Sequence, residues 1–177
     1  MCIAYLEIFR GTPLLVQLFI IYYGLPHVGL LLDPLPAALI GLSLNSGAYQ
    51  AEYIRGSIQA IPANQMTAGR TLGMTKLQSI RTIVLPQALR ISIPAWSNEL
   101  IYLLKYTSIV LYIQVRDLTF QAKDIAAQSS RYLETFTIIA LMYLFFTFVL
   151  SEIVDIIEKR LRIPGIGIQK TTKLRNA

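Results

Sequence analysis

Asn64-Gln-Met-Thr-Ala-Gly-Arg-Thr-Leu72 runs into Gly73 and continues as Met74-Thr-Lys-Leu-Gln-Ser-Ile-Arg-Thr-Ile-Val-Leu-Pro86. Pro62 suits a helix start, which predicts a first helix from Ala63 to Gly73. Glycine there is free to take the left-handed conformation that ends helices. Thr75 is placed to cap a second helix, and Gln78, three residues on, completes a capping box. Leu77, Ile80 and Val84 form one apolar stripe at spacings of three and four, with Lys76, Arg81 and Thr82 largely off it. Pro86 is expected to break the run. Ala68 and Gly69 are small, as the close approach of a partner surface requires. The stretch is basic and free of acids. It reads as a knob that docks on another protein, or, more plainly, as an amphipathic pair resting on lipid headgroups.

Around this knob the chain is built for lipid. Its 177 residues are 54% hydrophobic and only 15% charged, against roughly 25% charged in soluble domains. Four stretches meet the roughly 20 mostly apolar residues that a helical span needs. They cover about 13–32, 35–53, 93–115 and 136–157, and the fold class expected is all-α and polytopic, with the knob as a helix-turn-helix loop. The apolar run near the start is too long for a signal-peptide core and follows a single cation, Arg10, so it reads as a span. The net charge of +6 is placed as membrane topology would place it and does not point to nucleic acid. A single cysteine, Cys2, excludes an internal disulfide, and a single histidine, His27, excludes a multi-histidine metal site. There is no phosphate-binding GxxxxGK[ST] loop. No catalytic residue, metal ligand or bound cofactor is expected.

Lysine and arginine orient the spans. Arg55, Arg70, Lys76, Arg81 and Arg90 lie in a stretch without Asp or Glu, and Lys159, Arg160, Arg162, Lys170, Lys173 and Arg175 follow Glu158 without another acid. Both segments are expected on the cytoplasmic side. The link at Asp33 and the balanced segment 116–134 are expected outside, where a cysteine at Ser129 would be labelled. One at Ser79 would be labelled from the cytoplasm.

The knob resembles the cytoplasmic coupling loop of ABC importer permeases, whose pattern is Glu-Ala-Ala, three residues, Gly, nine residues, Ile, one residue, Leu-Pro. Here Thr67, Ala68 and Gly69 hold the first three positions, and Gly73, Ile83, Leu85 and Pro86 fall in register. Phe9-Arg-Gly-Thr-Pro-Leu-Leu-Val-Gln17, Asn45-Ser46 with Ala51-Glu52, Leu85-Pro-Gln-Ala-Leu-Arg90, Asn98-Glu99 and Lys105 resemble the polar-amino-acid subfamily of histidine, glutamine, glutamate, arginine and opine importers. The resemblance covers nearly the whole chain. It implies the permease subunit of an ATP-driven amino-acid importer in a prokaryotic inner membrane, not an enzyme. The implied partners are a separate ABC ATPase that binds the ATP, a second permease copy or sister permease, an external solute-binding protein and the amino-acid substrate. Two departures stand out. Thr67 replaces a glutamate able to pair with a basic group on the ATPase. The family's usual five spans are four here, and the expected explanation is a first span missing before Phe9, by an internal start, a fragment or natural shortening. The expected domains are residues 1–163 as permease and 164–177 as a cytoplasmic tail. A membrane scaffold or assembly subunit that keeps the loop without a continuous path is the alternative.

Ionisable groups within spans are functional hypotheses by default. The resemblance implies that Asn98 and Glu99 line the translocation path, with Glu99 receiving a substrate cation. A structural hydrogen bond is the alternative. Lys105 is six residues on, about 240° around the helix at roughly 100° per residue, and is not its natural partner. Gln17 and Asn45 are further candidates for substrate contact or for bonds between helices. Ser43, Gly47 and Ala51 read as a packing stripe. Glu52 with Arg55, Asp155 with Lys159 and Glu158 with Arg162 read as ion pairs along helices. Tyr22, Tyr23, Tyr132 and Trp96 suit interfacial belts.

Overall fold

The computed structural model describes residues 2–161, which fold into helices without a strand. They are α1 (Cys2–Gly11), α2 (Leu14–Phe19), α3 (Pro34–Gln59), α4 (Ala63–Thr71), α5 (Lys76–Ser79), α6 (Leu85–Tyr106), α7 (Leu118–Ser129) and α8 (Tyr132–Leu161). Wide π-helical turns at Ile20–Gly24 and Ile80–Val84 and tight 3-10 segments at Leu25–Val28 and Thr107–Ile113 extend α2, α5 and α6. The expected tail 164–177 and the Glu158–Arg162 pair lie outside the described residues.

Each expected span falls on helical chain, but the four are unequal. By length and apolarity α8 qualifies on its own, and its apolar side chains are almost all exposed, as lipid-facing or partner-facing surface is. The first expected span is instead a broken one. α1 was not foreseen as a helix, and the chain turns by 104° between Ile3–Gly11 and Leu14–Val28. Its upper end stops at Gly29, φ +85°, where the Gly29 and Leu30 amides bond back to Pro26 and Leu25. α3 and α6 carry Asn45, Gln50 and Glu52, and Arg90, Glu99 and Lys105, so neither is a uniformly apolar crossing.

Pro86 does not break the helix. The Leu85 amide reaches five residues back to the Ile80 carbonyl, one more than in an α-helix. That wider turn clears the proline ring from the carbonyl it would otherwise strike, and the next residue needs no N–H partner. The Thr82 hydroxyl donates to the Gln78 carbonyl at 2.6 Å, and the Gln87 amide donates to Ile83 at 2.8 Å. The same device recurs at Leu25-Pro26, where the Leu25 amide bonds Ile20.

The core gathers Leu18, Ile21, Ala37, Ala38, Val110 and Ile113 where the helical stretch 14–24, α3 and the 3-10 segment meet. The tight seam on α3 runs through Ala37, Gly41, Asn45 and Ala48, all buried. A Cβ on Gly41 would lie 2.6 Å from Leu18. The expected stripe is displaced from it: Ser43 and Ala51 are exposed, and Gly47 alone of the three packs, against the Tyr5 hydroxyl. Either stripe satisfies the small-residue spacing, and it is Leu18 that selects the first. α7, which was not foreseen, is capped by Asp117, whose carboxylate accepts from the Phe120 amide at 2.8 Å. It lays Ala122 and Ala126 inward. Among the described residues the ion pairs are Glu52 with Arg55 and with Arg10. Asp155, half-buried, and exposed Lys159 do not pair.

Candidate functional site

The loop folds as two short helices locked at both ends of their turn. Gly73 has φ +83°. Its amide bonds the Arg70 carbonyl at 3.0 Å, and the Met74 amide bonds Gly69 at 3.1 Å, the paired bonds of a Schellman ending. Thr75 then begins α5 with both arms of its capping box made: its amide donates to Gln78 Oε1 at 2.8 Å, and its hydroxyl accepts from the Gln78 amide at 3.2 Å. The turn therefore projects as a rigid tip. At that tip Leu72 and Leu77 are 80% and 74% exposed, and Arg70, Lys76 and Arg81, close to them in the chain, are exposed too.

The buried face of the loop differs from the expected stripe. Leu77 points out, and Val84 is buried with Ser79, because the π-helical turn rotates the register between them. Gly69 is also buried, and a Cβ there would meet Ile83 at 2.8 Å and the Ser79 hydroxyl at 2.9 Å. Its small size lets α4 close on its own neighbour, Ile83, and not on a partner. Thr67 and Ala68 are exposed, with the Thr67 hydroxyl donating to the Ala63 carbonyl at 3.3 Å. Leu85 and Pro86 sit exposed at the base of α6.

Gln17 and Asn45 meet at the bend between α1 and α2. Gln17 Nε2 donates to the Phe9 carbonyl at 2.9 Å and to the Thr12 carbonyl and hydroxyl at 3.0 and 2.7 Å. Asn45 Nδ2 donates to the same Phe9 carbonyl at 2.9 Å and to Gln17 Oε1 at 3.0 Å. Both side chains are buried. A broken helix in lipid leaves carbonyls without partners, and protein groups must satisfy them. These two amides do so.

Beside the bend opens a cavity of about 440 Å³, lined in part by Arg10, Thr12, Asn45, Tyr49 and Tyr106. Arg10 lies over the Tyr49 ring at 5.7 Å and pairs with Glu52 at 3.3 Å. Glu99 is 4% exposed and is not among the residues lining the cavity, with Oε2 accepting from the Tyr53 hydroxyl at 3.2 Å. Tyr53 and Tyr49 are one helical turn apart, their ring centres separated by 6.4 Å. Asn98 is exposed, and Lys105 covers the Tyr102 ring at 4.5 Å, away from Glu99 as its position around the helix requires. The partners of Tyr53, Arg10, Gln65 and Gln87 escaped the sequence reading. They are distant in sequence, and no local spacing announces them.

Residues 4–163 match the family model described as the binding-protein-dependent transport system inner membrane component. The chain is 45% identical over 158 residues to the L-cystine transport system permease protein TcyB of Bacillus subtilis (strain 168), covering 89% of this chain and 68% of that one. It is 39% identical over 163 residues to the glutamine transport system permease protein GlnP of Escherichia coli (strain K12), covering 91% and 74%. It is 40% identical over 164 residues to the nopaline transport system permease protein NocM of Agrobacterium fabrum, covering 87% and 68%. A solved structure described as an amino acid ABC transporter with histidines superposes with a TM-score of 0.84 at 43% identity, covering 89% of this chain and 73% of that one.

Proposed function

From a premise now in hand, that the chain belongs to the family of binding-protein-dependent transport system inner membrane components, we propose that it is the permease subunit of an ATP-driven importer of polar amino acids. It is a transport subunit and not an enzyme, and hydrolysis falls to a separate ATPase. ATP binds on that partner. The observation that carries the reading is the capped turn at Gly73, with Leu72 and Leu77 exposed and the exposed cations Arg70, Lys76 and Arg81 close by in the chain. Apolar anchors with a charged rim are what a docking surface needs. ATP-driven closure of two such ATPases pushes the loops and rocks the spans between inward- and outward-facing states. A second permease copy or a sister permease completes the path, and an external solute-binding protein delivers substrate. No observation favours a non-transporting scaffold. Replacing Gly73 with Val forces a β-branched residue into the left-handed region, which costs about 1–2 kcal/mol. Co-purified ATPase is expected to fall about tenfold with membrane insertion unchanged. Undiminished co-purification would refute the docking role.

The charge asymmetry supports a cytoplasmic loop and C-terminus and an outward α7. Ser79 is fully buried, so a cysteine there would escape labelling for reasons unrelated to topology, and exposed Leu77 replaces it as the probe position. A cysteine at Leu77 is expected to react with impermeant thiol reagents only from the cytoplasm, and one at exposed Ser129 only from outside. The reverse pattern would overturn the orientation.

A further inference from the structure

We propose that Gln65 and Gln87 form a strut that carries movement of the loop into α6, as positioning residues for coupling and not as contacts of substrate or ATP. The proposal rests on the reading of residues 62–86 as an ATPase-docking loop. Two routes join that loop to the helix that bears Glu99. One is the chain itself, which passes through the π-helical turn Ile80–Val84. Such turns are rare single-turn insertions into α-helices, frequent at functional sites, and this one is followed by a proline that donates nothing.

The second route bypasses this turn. Gln87 Nε2 donates to Gln65 Oε1 at 2.6 Å and to the Ile83 carbonyl at 2.8 Å. Gln65 belongs to α4 and Gln87 to the first turn of α6, and both are half-buried. One amide thus fastens the first loop helix, the turn and the base of the span together. Packing converges on the same node, since the Ile83 side chain abuts Gly69 of α4. Glu99 stands 12 residues beyond Gln87, about 18 Å along the axis at ~1.5 Å per residue. With the bridge made, a push on α4 tilts the base of α6, up to the interior proline Pro94 that lies between it and Glu99. With it broken, the π-helical turn flexes and absorbs the push.

The test uses the complex with its ATPase and binding protein in liposomes, supplied with radiolabelled arginine, histidine, glutamine and cystine. The readout is substrate imported per ATP hydrolysed. Gln65→Leu and Gln87→Leu are each expected to keep the ATPase bound and hydrolysing within about twofold of the unaltered complex while import per ATP falls about tenfold. The double variant is expected to be no worse than either single one, as residues acting through one bond are not additive. Gln65→Glu keeps an oxygen for Gln87 Nε2 and is expected to restore import per ATP to within about twofold of the unaltered complex. Unchanged import per ATP in the Leu variants, or a loss that tracks released ATPase, would overturn the strut. Failure of the unaltered chain to hold an ATPase would instead overturn the docking reading beneath it.

Discussion

Glu99→Gln will lower uptake of arginine about a hundredfold and leave uptake of glutamine within about threefold, with the ATPase still bound. Removing one partner of a buried charge pair costs roughly 3–5 kcal/mol, more than the ~2.7 kcal/mol that a hundredfold change represents. The carboxylate is buried, and the Tyr53 hydroxyl is its hydrogen-bond partner. Glu99 does not line the cavity at the bend, so contact with a substrate cation there requires the site to rearrange. Tyr53→Phe provides the control. It removes the hydroxyl and keeps the acid, so arginine uptake is expected to survive. Equal losses for arginine, histidine and glutamine, or a Tyr53→Phe chain that behaves like Glu99→Gln, would leave Glu99 as a packing residue that serves Tyr53.

The largest loss of stability is expected at Asn45. Asn45→Leu takes a donor from the Phe9 carbonyl and another from Gln17 Oε1. A buried polar group left without its partner costs about 1–3 kcal/mol, so the apparent melting temperature in detergent is expected to fall by roughly 5–10 °C. Ser43→Leu, on the exposed side of the same helix, is expected to shift it by less than about 2 °C. Equal shifts for the two variants would mean that the bend holds without its amides.

What was legible in the sequence was what local rules decide. Thr75, Gln78 and Gly73 declare their capping box and turn within four residues, and both form as read. Family motifs were legible for the same reason, as short runs at fixed spacing. Gln17 and Asn45 were visible as polar groups among apolar ones, but their partner carbonyl was not. The bond from Asn45 to Phe9 spans 36 residues, and the bend it pins is why α1 went unread. Tyr53 and Glu99 are 46 residues apart. The loop's buried face was misread at Leu77 because a 3.6-residue period was carried through a turn that is wider than that.

Both π-helical turns also bear on how this chain tolerates change in length. A π-helical turn is an α-helix with one residue to spare. Loss of a residue within Ile80–Val84 would shorten that turn to ordinary α geometry and keep the side chains of α6 facing as before, but only if Pro86 were replaced as well, since its ring would then strike the carbonyl four residues back. The same loss anywhere within Ser92–Tyr106 would turn the rest of the helix by about 100° and carry Glu99 or its neighbours off their faces. Among the described residues, 20–24 and 80–84 are thus positions where a helix can lose a residue and keep its direction beyond, provided that the proline of the Leu-Pro that follows each is lost too.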